Sequence, residues 1–439
     1  MTGLNLNKVK FTKKSDVVNP GTEIFNTSNV NTLNGNDQII GTSNVTGDFA
    51  LGAFVGIGNK NSNAIASADL SGQSNIAIYG IKNQGIINTG KGADLVNGTA
   101  TAKITATAYT VSQAIAIAEK TGATAIANAF ASIKIKTTAD GIDNSGGVAY
   151  TGKGDDSISS DTLGSISAVA VAIADASAIV EAICKTPISQ GLTAFAGAIA
   201  TSLAQATITA TGIKNIRGTI ATGAGSDTLK ASATSSAGTF AGTYSSTFAS
   251  ATPDNQALAL AVVNASAEAY DSAIAIDNTR GLISTGNGND AIHATASASD
   301  KAIAIDNTKG SINTGHGNDT IIAKATGLES YGIFGGTIDM GNGNDRISAS
   351  SFGGGVNINM EKGDDFVQGF GNAKVDGGKG YDILDLGAYN KDSFQVSFGA
   401  NNSVIFQLDS ITMTTNGFEQ FNFANNVSYT YNQNAFLPQ

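Results

Sequence analysis

The chain has 439 residues, a net charge of -10 and a pI near 4.7, with 53 Gly, 4 Pro, no Trp and only 14% charged residues. This acidic balance excludes nucleic acid as a partner class and suits cation binding. The one cysteine, Cys184, excludes an intrachain disulfide framework and reads as a small buried residue, and no apolar run reaches membrane-spanning length without polar interruption.

Met1 to Asn19 is polar and basic and lacks an apolar core segment, so no conventional cleavable signal peptide is expected. Residues 1–30 read as an N-terminal cap, because the end of a repeat array exposes strand edges that need cover. From residue 31 a short loop returns nine times as G-x-D, followed two residues after the Asp by an aliphatic residue. The glycines are Gly35, Gly92, Gly154, Gly225, Gly288, Gly317, Gly343, Gly363 and Gly380. The aspartates are Asp37, Asp94, Asp156, Asp227, Asp290, Asp319, Asp345, Asp365 and Asp382. The aliphatic place holds Ile39, Val96, Ile158, Leu229, Ile292, Ile321, Ile347, Val367 and Leu384. Length alone suggests two or three globular domains, but an internal repeat overrides that prior.

The residue types have physical reasons. Glycine permits positive φ, so the backbone can aim its carbonyls at one point. Aspartate adds a hard anionic oxygen, and calcium takes six to eight oxygens at roughly 2.3–2.6 Å. One loop supplies too few, so two stacked loops must share each ion, and that requirement ties Ca2+ to a solenoid. Bare tight arcs, with Asp bonding its own backbone, stand as the alternative.

At these residues the chain resembles the RTX, or hemolysin-type, calcium-binding repeat family, with its nonapeptide G-G-x-G-x-D-x-U-x. The fullest match is Gly377-Gly378-Lys379-Gly380-Tyr381-Asp382-Ile383-Leu384. The resemblance covers the nine loops and a C-terminal region. It implies the nine Asp and nine Gly as metal-binding residues, Ca2+ as the bound ion, and export without an N-terminal signal by a type I exporter. Departures are plain. The first glycine is Thr89, Thr151, Thr222, Thr285 or Thr314, Asn34 stands for the second in the first copy, and Glu361-Lys362 replace both in the eighth. The aspartates are 57, 62, 71, 63, 29, 26, 20 and 17 residues apart instead of nine, so one calcium column is expected rather than two.

Between the early loops, small and aliphatic residues alternate, as in the stretches beginning at Thr99, Ala114 and Ser167, and period two reads as strand. A helix over Ile173 to Cys184 stays open, since Ala is a poor strand former. A second signature, Ile-Lys/Asp-Asn, ends at Asn83, Asn144, Asn215, Asn278 and Asn307 and reads as a further corner, with Asn and Gly tolerating a left-handed residue. The segment from Ile292 to Asp319 then parses as one rung of three strands: Ile292–Ser297, Ala302–Ile305 and Ser311–Thr314. No second corner of this kind lies inside the long early intervals, so each reads as one enlarged rung. From Leu386 aromatic-rich strands take over, including Phe418-Glu-Gln-Phe-Asn-Phe423, which resembles the segment closing many RTX arrays. The expected fold is all-β: a right-handed parallel β-solenoid over residues 31–387 with stacked calcium-binding turns, tapering toward the C-terminus, and a C-terminal β cap over 388–439 that is also a candidate secretion region.

Catalysis finds little support. His293 and His316 are the only histidines, and Asp155-Asp156 and Asp364-Asp365 sit inside the loops, so no enzyme is expected; a carbohydrate-active solenoid using carboxylates on one face is the enzymatic alternative. Loops stacked about 4.8 Å apart would set neighbouring carboxylates repelling by about 3.5 kcal/mol at an effective dielectric near 20. Calcium reverses that sign, so folding on calcium after export is expected. The leading functional expectation is a secreted, extracellular or cell-surface protein that self-assembles into a fibre, sheath or surface layer, its partner being itself. The alternative is a monomeric adhesin or carbohydrate-binding module for cell-surface glycan. Ice binding is a third reading, from Thr99-x-Thr101 and Thr105-x-Thr107, but these motifs do not repeat at rung spacing.

Overall fold

The aliphatic residue after each loop aspartate points inward and pairs with its counterpart one rung along. Ile39, Val96, Ile158, Leu229, Ile292, Ile321, Ile347, Val367 and Leu384 form one continuous buried stack. The computed structural model describes residues 3–59, 63–118, 122–180, 193–251, 256–399, 402–432 and 435–438. Among them there is no α-helix, and the chain winds as a parallel β-solenoid. The rung after Asp290 has the three expected strands, at Ala291–Ser297, Lys301–Asp306 and Ser311–Asn313.

Each long interval is one enlarged rung. Eight long strands build this broad part: β1 (Gln38–Asn59), β2 (Asn63–Asn83), β3 (Leu95–Ala118), β4 (Ala123–Asp143), β5 (Ser157–Val180), β6 (Thr193–Lys214), β7 (Thr228–Ala251) and β8 (Gln256–Asp277). β1, β3, β5 and β7 pair side by side in one sheet. β2, β4, β6 and β8 do so in the facing sheet. At ~3.3 Å per residue these strands run about 70–80 Å, so the broad part is a long two-layer plate. Beyond it the strands shorten: β9 (Ala291–Ser297) and β10 (Lys301–Asp306) begin a narrow column that continues the roots of β7 and β8. Residues before the plate also add short strands in register, Val17–Val18 on β1, Ile24–Asn26 on β2, and Asn29–Asn31 on Ile86–Asn88.

The plate inverts the usual choice of residues. Ala168, Ala170, Ala172, Ala174, Ala176 and Ala178 of β5 face inward, as do Ala194, Ala196, Ala198 and Ala200 of β6. The alternate Val and Ile residues face out. Alanine inside lets two sheets close on each other, and the strand period holds over residues 173–180, where a helix had been open. Residues 181–184, including Cys184, lie outside the described residues.

The second corner is built differently from the expectation. Its asparagines do not take the left-handed conformation; that falls two residues later, at Gly146, Arg217, Arg280 and Lys309. The Asn side chains instead stack inward as a buried ladder from Asn26 through Asn83, Asn144, Asn215 and Asn278 to Asn307, each Nδ2 donating to the next Oδ1 at 2.6–2.8 Å. Just before it, Lys82, Asp143, Lys214 and Asp277 stack with alternating charge, and Lys214 Nζ lies 3.1 Å from the buried Asp140 Oδ2. At the C-terminal end the strands turn antiparallel, at Gln395–Phe398 and Val404–Leu408 on one side and Val427–Tyr431 and Phe436–Pro438 on the other. Phe394, Phe406, Phe421, Phe423 and Phe436 cluster between them over the last rung.

Candidate metal centre

The nine loops lie one above another. Each uses two positive-φ positions, such as Gly286 at φ 102° and Gly288 at φ 137°. A Cβ on Gly288 would stand 1.7 Å from the Gly225 carbonyl oxygen of the neighbouring rung, so side chains are excluded by the stacking as well as by φ. The N–H of the same glycine ties the rungs together, Gly225 donating to Asn287 and Gly288 to His316 at 2.8–2.9 Å. Gly35, Gly92, Gly154, Gly225, Gly288, Gly317, Gly343, Gly363 and Gly380 all occupy this second position. The preceding position is corrected in two loops. Leu33, at φ 81°, stands under Gly90 where Asn34 had been assigned, and Asn34 takes the variable place. In the eighth loop Glu361, at φ 69°, replaces one glycine alone, since Lys362 takes the variable place and Met360 the place before.

All nine aspartates are buried, each at 2% exposure or less. Their Oδ1 atoms do not accept from their own loop's backbone. Each Oδ1 accepts the backbone N–H of the aspartate one rung earlier: Asp37 donates to Asp94, Asp94 to Asp156, Asp156 to Asp227, Asp227 to Asp290, and Asp290 to Asp319. The series runs on through Asp345 and Asp365 to Asp382, all at 2.7–3.0 Å. Two members were not legible as loops. Asp16 donates its N–H to Asp37 Oδ1, and Glu419 Oε2 accepts from Asp382, closing the column. Asp16 has only the acid two residues before Val18, with Lys14 in place of the glycine, whereas Glu419 keeps the glycine as Gly417 and the following apolar residue as Phe421, with Glu standing for Asp.

The second carboxylate oxygen has no such partner. Oδ2 of Asp94, Asp156, Asp227, Asp290, Asp319, Asp345, Asp365 and Asp382 is buried without a hydrogen bond. The threonines that replace the first glycine explain part of this. Thr89, Thr151, Thr222 and Thr285 face inward, but each hydroxyl proton is donated to the next threonine carbonyl at 3.0–3.1 Å. A hydroxyl has one proton, so it offers the carboxylate only lone pairs. At Asp37 the Thr32 hydroxyl lies against both Oδ2 and the Thr89 carbonyl, and its single proton serves one of them at a time.

Burial pushes these carboxyls up, to about 7 for Asp345 and Asp382 and to about 6 for Asp156, Asp319 and Asp365, against the lowering effect of the N–H bonds. Asp94, Asp227 and Asp290 are raised for the same reason. In the first six loops the donor set is oxygen only, carboxylate, hydroxyl and carbonyl; in the seventh and eighth Met340 and Met360 take the threonine's place. An oxygen-only set matches a hard cation such as Ca2+ rather than a thiolate or imidazole metal. Among the described residues no three His, Cys, Asp or Glu converge on one point. A cation here would therefore be shared by two stacked carboxylates and completed by neutral oxygens.

The remaining polar residues fall outside the column. Asp155 and Asp364 are exposed and accept the N–H of Ser226 and Tyr381. His316 is exposed in its loop, with Asn342 Nδ2 donating to its Nδ1 at 2.8 Å, and His293 alternates with the buried Ile292 and Ala294. Comparison with protein-family models, curated proteins and solved structures returns no match.

Proposed function

We propose that this chain is a calcium-binding structural protein, which folds on Ca2+ outside the cell and assembles with copies of itself into a fibre, sheath or surface layer. The observation that carries the reading is the unbroken column of buried aspartates with an unsatisfied oxygen at eight rungs. Buried carboxylates without compensation are costly, and stacked ones repel. A divalent cation supplies both the missing partner and the missing charge. The nine loops themselves hold the ions: the Asp carboxylates bind, the second-position glycines keep the turns close enough to share, and in the first six loops the inward threonines add neutral oxygen. The resemblance to the RTX repeat supports the same ion, and with it export through a type I exporter, since modest calcium sites fill outside cells and stay empty inside.

The test is particle size by light scattering and negative-stain microscopy during calcium titration of chelator-treated protein. Ordered filaments or sheets appearing with calcium are expected. Compact monomers at saturating calcium would sink the assembly reading. A second reading, glycan binding by a monomer, draws on one feature: Phe240, Tyr244 and Phe248 stand exposed in a row on the outer face of β7, as platforms on which sugar rings can stack. A glycan array probed with calcium-loaded protein separates the two.

A further inference from the structure

The plate ends in two open edges, and they are not alike. On the side away from the narrow column, β1 is paired by an earlier strand only at Gln38 and Ile39. Its inward places carry Phe49, Leu51, Val55 and Ile57, where the next rung has Ala106, Ala108, Ser112 and Ala114. Leu51 reaches across to Gly72 of the facing sheet, with its Cδ1 2.8 Å from where a Cβ would stand. Large side chains thus plug that end of the alanine core.

The side toward the column has no plug. β9 covers β7 only as far as Thr234, and β10 covers β8 only from Ser272. Between these points Ser235–Ala251 and 256–270 form a double strand edge with no paired strand beyond it among the described residues, Asp271 being already bonded to Asp300. Its inward places stay small in β7, at Ala237, Ala241, Ser245 and Ala249; in β8 they are Ala257, Ala261, Ala265 and Ala269, with one larger residue, Val263, in the middle. The β8 alanines are exposed, although their partners Ala194, Ala198, Ser202 and Ala206 are buried. Open edges are ordinarily blunted by charge, proline or a bulge. Here residues 235–251 and 256–270 contain no proline and one charged residue, Glu268, which accepts from Gln205 Nε2 of β6.

We infer that this edge joins two copies of the chain, the two-layer plate continuing across an antiparallel two-fold contact along Ser235–Ala251 and Gln256–Tyr270. The inference rests on the self-assembly reading and specifies its interface. A second copy is the occupant that fits, for three reasons. Both sheets end level, since Ser245 Oγ donates to the Ala198 carbonyl and Ala198 pairs with Ala261. One axis normal to the plate, near Thr243 and Val263, therefore lets both strands pair with their own copies at once. That axis sends the two narrow columns to opposite ends, whereas in-register head-to-tail stacking would drive one copy's early rungs into β9 and β10. Lastly, the edge is about 55 Å long and its two layers with their side chains about 20 Å deep, so each copy covers on the order of 1,000 Å², above the ~800 Å² typical of a stable interface.

The test is sedimentation velocity at saturating calcium on three proteins. Wild type is expected as a dimer or an even multiple. Ala261→Lys with Ala265→Lys puts charge on the inward, exposed places of the edge and is expected to halve the particle mass. Asn264→Lys with Ser266→Lys adds the same charge to the outer face and is expected to leave the mass unchanged. Far-UV circular dichroism checks folding, and in a Cys184→Ser background Thr243→Cys is expected to give an oxidised, covalently linked dimer. Wild-type mass in the double lysine variant without that cross-link would overturn this interface while self-assembly stands. A wild type that is monomeric throughout, or monomeric and bound to phosphatidylcholine vesicles through its apolar faces, would overturn both.

Discussion

Asp319 shows the local conflict on which the molecule turns. Its carboxyl is buried, one oxygen is satisfied by the Asp290 N–H, and the other is not. Burial raises it to about 6, and Asp345 above it to about 7. A carboxyl raised above its unfolded value holds its proton longer in the fold than in the coil. The cation-free protein should therefore be most stable near pH 4 and lose stability as the pH climbs through 6 and 7. Urea midpoints in chelator at pH 5 and pH 8 check this, with a higher midpoint at pH 5 expected; in calcium the order should reverse, because the ion needs the ionised form. Glycine gives a second residue-scale prediction. Gly317→Ala meets both φ 136° and the Gly288 carbonyl at 1.7 Å. It should cost about 3 kcal/mol or more, whereas Gly58→Ala, with open space around it, should cost under about 1 kcal/mol.

At the scale of the strand, the plate replaces size with proximity. Ala116 of β3 is buried and its neighbour Ile115 is more than a third exposed, the reverse of an ordinary half-buried strand. Ala116→Val should overpack the sheet interface and cost about 1–3 kcal/mol, while Ile115→Ser should change stability by less than about 1 kcal/mol. Thermal melts of the calcium-loaded variants decide between this and the conventional pattern, in which the order inverts. The Asn ladder fixes register in the same layered way. Asn215→Ala leaves Asn144 Nδ2 and Asn278 Oδ1 without their amide partners and should cost about 2 kcal/mol. The same melts report it.

On the scale of the whole molecule, two devices close the solenoid ends and one edge stays open. The aromatic cluster around Phe406 covers the last rung, and the Phe49–Leu51 plug covers one side of the plate. Truncation after Asp385 removes the aromatic cover and Glu419, the acceptor that ends the carboxylate column. Calcium-loaded truncated protein should form irregular aggregates in light scattering where the full chain gives ordered particles; ordered particles from the truncation would show that the cap does not guard the end. The uncovered edge at Ser235–Ala251 is the place where assembly can proceed without disturbing either closure.

Much of this was written in local spacing. The G-x-D recurrence with its following aliphatic residue determines the loops, the inward stack from Ile39 to Leu384 and hence a solenoid, because each residue's task is set within its own turn. The missing second Asn corner likewise determines that each long interval is a single rung. Other features are decided only in three dimensions. Asp16 joins the column without the loop glycine and Glu419 with Glu in place of Asp, since what places them is strand register. The asparagines read as turn formers, and stacking alone makes them a ladder. The alternating Ala and Ile residues fix the strand but not which set faces in; that depends on a facing sheet close enough to exclude Ile. The open edge of β7 and β8 depends on where β9 and β10 stop, a relation between residues 29 or more positions apart that no local pattern carries.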